Sequence, residues 1–146
     1  MGHDFSLTYE TNKCDSCNRS DVSTIEDNMY VSYNHCWAFY DYVDSDVGFI
    51  WIYDRPVTEI IPKMELLKAK LVFNHGSVPT HEKKDDGTIA WSDKLIPTIN
   101  YGKNETARDD GWATTVFNAY RCADEILQAC YKAVKFGHLN ARFDGD

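Results

Sequence analysis

Hydrophobic and polar residues first alternate in FSLTYE, where Phe5, Leu7 and Tyr9 are separated by polar neighbours. That two-residue period predicts a half-buried strand, because successive side chains of a strand point to opposite faces. From Thr11 to Asp27 the chain is polar, which predicts a loop or knuckle around Cys14-x-x-Cys17. In MYVSYNHCWAFYDYV, Tyr33, Trp37 and Tyr40 recur at helical spacing, and Ser32 or Asn34 suits a cap. The aromatic and β-branched content also permits a strand, but the spacing favours a short helix from about Ser32 to Tyr42. VGFIWIY, after the acidic turn DSD, reads as a short buried strand.

The next segment is plainly helical. Ile60, Met64, Leu67 and Leu71 fall on one face, and Lys63, Lys68 and Lys70 on the face left to water. Thr58 suits the cap and Pro62 the first turn, with the end near Asn74-His75-Gly76. Residues 77–104 read as a long loop holding a hairpin turn at Asp86-Gly87, a strong turn dipeptide. A long last helix follows, capped by Asp109 or Asp110, whose carboxylates suit the positive end of a helix. Its buried stripe is Trp112, Val116, Ala119, Ala123, Leu127, Cys130 and Val134, and Gly137 is placed to end it in a left-handed conformation. The tail NARFDGD reads as frayed, with Phe143 the residue able to dock it. The expected fold is α+β: about three helices packed with a small antiparallel sheet or hairpins, as a single domain over residues 1–146.

Composition narrows this picture. An apolar fraction of 43% in 146 residues supports a real core without staples. A formal net charge of −8 argues against direct binding to nucleic acid or anionic membranes. The charge suits a partner with a basic surface, or simple solubility. Neither a signal peptide nor a membrane-spanning apolar run is visible, and five cysteines fit a reduced compartment, so a cytoplasmic location is expected.

Candidate chemistry is sparse. Cys14 and Cys17 with Cys36 and its neighbour His35 suggest a zinc site, since a two-residue spacer lets one knuckle supply two thiolates. The set is incomplete: His35 and Cys36 point apart on a helix, and a further ligand such as His3 or His75 would have to join. Ordinary thiols are the competing reading. Cys122 and Cys130 lie about two helical turns apart, too far for a disulfide, and read as core. Asp41, Asp44 and Asp46 have cation-binding spacing but read first as a solvated turn. No nucleophile–histidine pair, phosphate-binding loop or metal-hydrolase motif occurs, so an enzyme is not the first expectation. The aromatic residues Tyr30, Tyr33, Trp37, Tyr40, Tyr101 and Trp112 offer stacking surface near a helix N-terminus, which can hold phosphate.

Three stretches carry a resemblance: YVSYNHCW at Tyr30, TEIIPKMELLKAKL at Thr58 and DDGWATTVFNAYRCADEIL at Asp109. Their order resembles a family of small proteins encoded by tailed phages and prophages. In that family a short strand leads into an N-Y-T-x-N-like stretch, an amphipathic helix follows, and N-G-W opens the last helix. Here Tyr30 and Asp110 replace the family's asparagines. The resemblance implies Asn34, Gly111 and Trp112 as a recurrent cluster and a host-cytoplasmic protein, and supplies no established activity. The expected function is a non-catalytic phage accessory protein that binds a small nucleotide-like ligand, for example to sequester a host defence signal. Its expected ligand-binding residues are Tyr33, Asn34, Trp37, Tyr101, Gly111 and Trp112. An acidic protein that binds and inhibits a host protein, and a metal-dependent enzyme, are the alternatives.

Overall fold

The computed structural model describes residues 2–11, 21–75, 81–83, 89–91 and 109–145. Strand β1 (Gly2–Thr11) lies between β2 (Asp21–Ser32) and β5 (Arg142–Gly145), antiparallel to both. Between β2 and β5 the chain forms a 3-10 turn (Tyr33–His35), α1 (Trp37–Tyr42), a second 3-10 turn (Gly48–Ile52), α2 (Val57–His75), β3 (His81–Lys83), β4 (Ile89–Trp91) and α3 (Asp109–Lys135). Three helices on an antiparallel sheet make this an α+β fold. Among the described residues no helix is long and apolar enough to cross a membrane.

The alternation in β1 does what its period dictates: Phe5 and Leu7 are buried, and Phe143 of β5, opposite Leu7, closes the same core. Ile60, Met64, Leu67 and Leu71 of α2 are fully buried. They meet α3 through Ala119, Ala123, Leu127, Cys130 and Ala133, mostly small residues that let two helices approach closely. Cys122 and Cys130 are core residues, as their spacing suggested. The helices run antiparallel: Lys68 Nζ reaches Asp124 Oδ1 at 2.6 Å, and Tyr131 Oη donates to Glu65 Oε1 at 2.6 Å. At the end of α3, Gly137 has φ +78, its N–H donates to Val134 O, and His138 N–H donates to Ala133 O. These two bonds satisfy carbonyls that the helix itself leaves open.

Several expectations are corrected. The polar stretch expected to be a loop up to Asp27 is strand from Asp21 on, because β2 is an edge strand whose exposed residues leave no alternation to read. VGFIWIY is a 3-10 turn rather than a strand. Gly48 turns the chain at φ +62, and the N–H groups of Asp46 and Val47 donate to Asp44 Oδ1, holding its carboxyl below the usual carboxylate range. A short apolar run cannot distinguish the two forms by period. The helix expected from about Ser32 is split into the 3-10 turn and α1. Thr58 is not the cap of α2, because the helix already includes Val57, with the Pro56 carbonyl accepting from Glu59 and Ile60. Pro62 sits inside the helix, where it leaves the preceding turn one donor short. Lys68 turns inward to Asp124 instead of to water. Val134 is 41% exposed and lies off the buried stripe. The tail is paired as β5 rather than frayed. β3 and β4 are the arms of the expected hairpin, while its Asp86-Gly87 turn lies outside the described residues.

Candidate functional site

β2 carries two irregularities. Phe5 pairs with Met29 and Leu7 with Glu26, so β2 spends an extra residue between them; Thr8 then pairs with Thr24, which adds another. Asn28 sits at the first bulge with φ +55, a conformation asparagine tolerates better than most residues. Its N–H donates to Asp27 Oδ1 at 2.8 Å. Bulges bend and re-aim a strand. From Met29 to Ser32 the register is regular again.

A cleft of about 680 Å³ opens between this strand and α3. Glu26, Asn28, Met29 and Tyr30 form one wall; Arg121, Asp124, Glu125, Gln128 and Lys132 form the other. A second, smaller cavity of about 190 Å³ shares Tyr30, Arg121 and Glu125 with it and is lined also by Ser32, His35, Asn118 and Cys122. On α3 the linings of the two cavities together run from Asn118 to Lys132, which at 1.5 Å per residue is a trough-like stretch about 21 Å long. The sequence places these residues on one stripe of the helix, at steps of three and four.

The charges along the trough are mostly matched. Lys132 Nζ lies 2.8 Å from Glu26 Oε1 and donates to the bulge carbonyl of Ile25 at 3.3 Å. Arg121 Nε donates to Glu125 Oε1 at 2.9 Å. Asp124, only 2% exposed, accepts from Lys68 and, at 3.4 Å, from Gln128 Nε2. Each carboxylate of the lining thus has its own cation: Glu26 has Lys132, Glu125 has Arg121, and the buried Asp124 has Lys68 from α2. Burial lowers the pKa of His35, which favours its neutral form at the narrow end. Tyr30, 49% exposed, is the aromatic surface of the trough.

Of the residues expected from sequence, the side chains of Tyr33 and Trp37 are described, and neither lines this trough. Tyr33 is 52% exposed, with its ring edge-on to His3 at 5.1 Å. Trp37 is half-buried against Tyr42 at 6.3 Å. Both belong to the segment leading from β2 into α1, and α3 packs against that 3-10 turn. Asn34 has its backbone in the turn, and Gly111 and Trp112 have theirs in the opening of α3. The side chains of Asn34 and Trp112, and the whole of Tyr101, lie outside the described residues, as do Cys14 and Cys17. Cys36 is buried, its Sγ 3.5 Å from Ser32 O, and burial pushes its thiol up to about 11. Among the described residues no three His, Cys, Asp or Glu side chains gather to hold a metal.

Sequence reasoning missed Glu26, Asn118, Arg121, Glu125, Gln128 and Lys132. Their stripe on α3 carries the ordinary signature of a solvated helix face. Only the path of β2 beside it turns that face into a wall. No known protein family, curated protein or solved structure matches this chain.

Proposed function

We propose that this is a non-catalytic binding protein that takes a segment of another protein into the trough between β2 and α3. The shape of the trough carries the reading. It is elongated, about 21 Å along α3, whereas a compact cup would suit a single small molecule. At about 3.3 Å per residue, some six residues of extended chain span it. The lining supports the same reading: an aromatic surface at Tyr30 and matched ion pairs, in a chain of net charge −8. A partner with a basic surface would be drawn to such a face, in line with the expected acidic inhibitor of a host protein.

A nucleotide-like ligand is the second reading. It is favoured by the packing of α3 against the turn that carries Tyr33 and Asn34. The carboxylates of the described trough weigh against a phosphate there, so this ligand would have to use Tyr33, Asn34, Trp37 and the opening of α3 instead.

One pair of variants separates the two. Gln128→Trp fills the trough from an exposed position. Asn34→Ala alters the turn and leaves the trough open. On the first reading, a partner captured stoichiometrically by the tagged protein from its own host cells is lost with Gln128→Trp and kept with Asn34→Ala. Equal capture by Gln128→Trp and the unaltered protein defeats the first reading. A melting temperature raised by nucleotides and made unresponsive by Asn34→Ala establishes the second.

A further inference from the structure

α2 carries two apolar faces. Ile60, Met64, Leu67 and Leu71 are fully buried in the core. Pro62, Leu66, Ala69 and Phe73 each stand two residues further on, about 200° around the helix, and so face almost directly away from it. All four are exposed, Leu66 by 44% and Phe73 by 84%, with Val72 beside them at 40%. Single exposed apolar residues are ordinary, but a continuous row of them marks an interaction surface. Their steps of four, three and four are the spacing of a coiled-coil seam, which keeps one apolar line turned to a partner helix. Charge flanks the seam, Lys63 and Lys70 on one side and Glu65 on the other. Glu65 accepts from Tyr131 Oη at 2.6 Å, but none of these three charges forms an ion pair among the described residues.

We propose that the outer face of α2 is a self-association surface, on which the α2 helices of two copies of this chain pack parallel and in register about a twofold axis. The flanking charges select both the occupant and the direction. In a parallel pair, the residue just before a seam position meets the partner's residue five places on. Glu65 of each copy then meets Lys70 of the other, twice by symmetry. In an antiparallel pair Lys63 would face Lys70, also twice, and both contacts would repel. Across the axis Leu66 and Phe73 meet their own counterparts, Ala69 lets the helices approach, and Val72 covers the side of the Phe73 pair. The seam from Pro62 to Phe73 is about 16 Å long at 1.5 Å per residue. That is short for a permanent dimer, so monomer and dimer exchange with concentration. None of these residues lines the trough, so the two surfaces are separate.

Sedimentation of the full chain from dilute to concentrated solution tests this. The mean mass is expected to rise with concentration toward that of two chains. Leu66→Glu and Phe73→Glu should each weaken the dimer by about tenfold. Both sites are exposed, so the melting temperature of the dilute protein should stay where it was. Glu65→Lys and Lys70→Glu should each weaken association several-fold, and the two swaps combined should restore it. A single mass at every concentration overturns the inference. So does a dimer indifferent to both seam variants, which would use another face. Weakening by each charge swap without recovery in the double swap overturns the parallel pairing, as does a dimer strengthened by Lys63→Glu, the mark of antiparallel helices. A different protein captured by a chain that stays monomeric, and lost with Leu66→Glu, overturns the second copy as the occupant.

Discussion

Lys68 and Asp124 show how much a single pair decides. Asp124 sits almost fully buried between α2 and α3, with Lys68 Nζ 2.6 Å away. A buried carboxylate is tolerated only when its lone pairs are met, and removing its partner costs far more than the pair contributes. Lys68→Met should therefore destabilise the protein by about 3 kcal/mol in urea denaturation. Adding Asp124→Leu should recover most of that loss; if the double variant is no better than the single, the cost lies in packing rather than in a stranded charge. From sequence Lys68 was one of three lysines on a wet face, and it turned inward because α3 brings an acid to it. The same limit applies to the trough. Arg121, Glu125 and Lys132 are ordinary surface residues until β2 passes opposite them.

Elements with a strong internal rhythm were legible, and those set by their neighbours were not. The buried faces of β1 and α2, the end of α3 at Gly137 and the arms of the β3–β4 hairpin follow from period and turn chemistry. β2 did not, because an edge strand with two bulges has no rhythm to detect. The Gly48–Ile52 turn failed differently, since its apolar run fits strand and helix alike. Two glycines now separate backbone strain from crowding. At Gly137 an added Cβ would meet nothing within 4 Å, so Gly137→Ala pays only for the left-handed backbone, about 1–2 kcal/mol. At Gly48 the same atom would also fall 2.5 Å from the Tyr40 ring. Gly48→Ala should lose more stability than Gly137→Ala, and Tyr40→Ala in its background should narrow the gap. Equal losses in thermal melts would show that the ring moves aside freely.

At the scale of the whole molecule, the core joins residues from both ends of the described chain. Phe143 is fully buried opposite Leu7, and a parallel bridge ties it to Tyr53. Phe143→Ala should cost about 3–4 kcal/mol, read as a lower urea midpoint, because the cavity would open in the core under β1 and β5. A loss under 1 kcal/mol would mean that β5 adds little to the core. The sequence held the clue in one aromatic within a polar tail, but nothing local revealed that β1 would supply its partner. The β1–β5 register has a consequence for how the protein is made. A ribosome adds about 5–20 residues each second, and β1 leaves it well before β5. During that interval one edge of β1 has no strand to join, and Phe5 and Leu7 have lost nothing of their appetite for cover. Contacts so distant in sequence also close slowly once both strands are out. The newborn chain thus passes through a stage with an exposed strand edge and a half-built core, in which chaperones or its own kind are the available cover until β5 emerges.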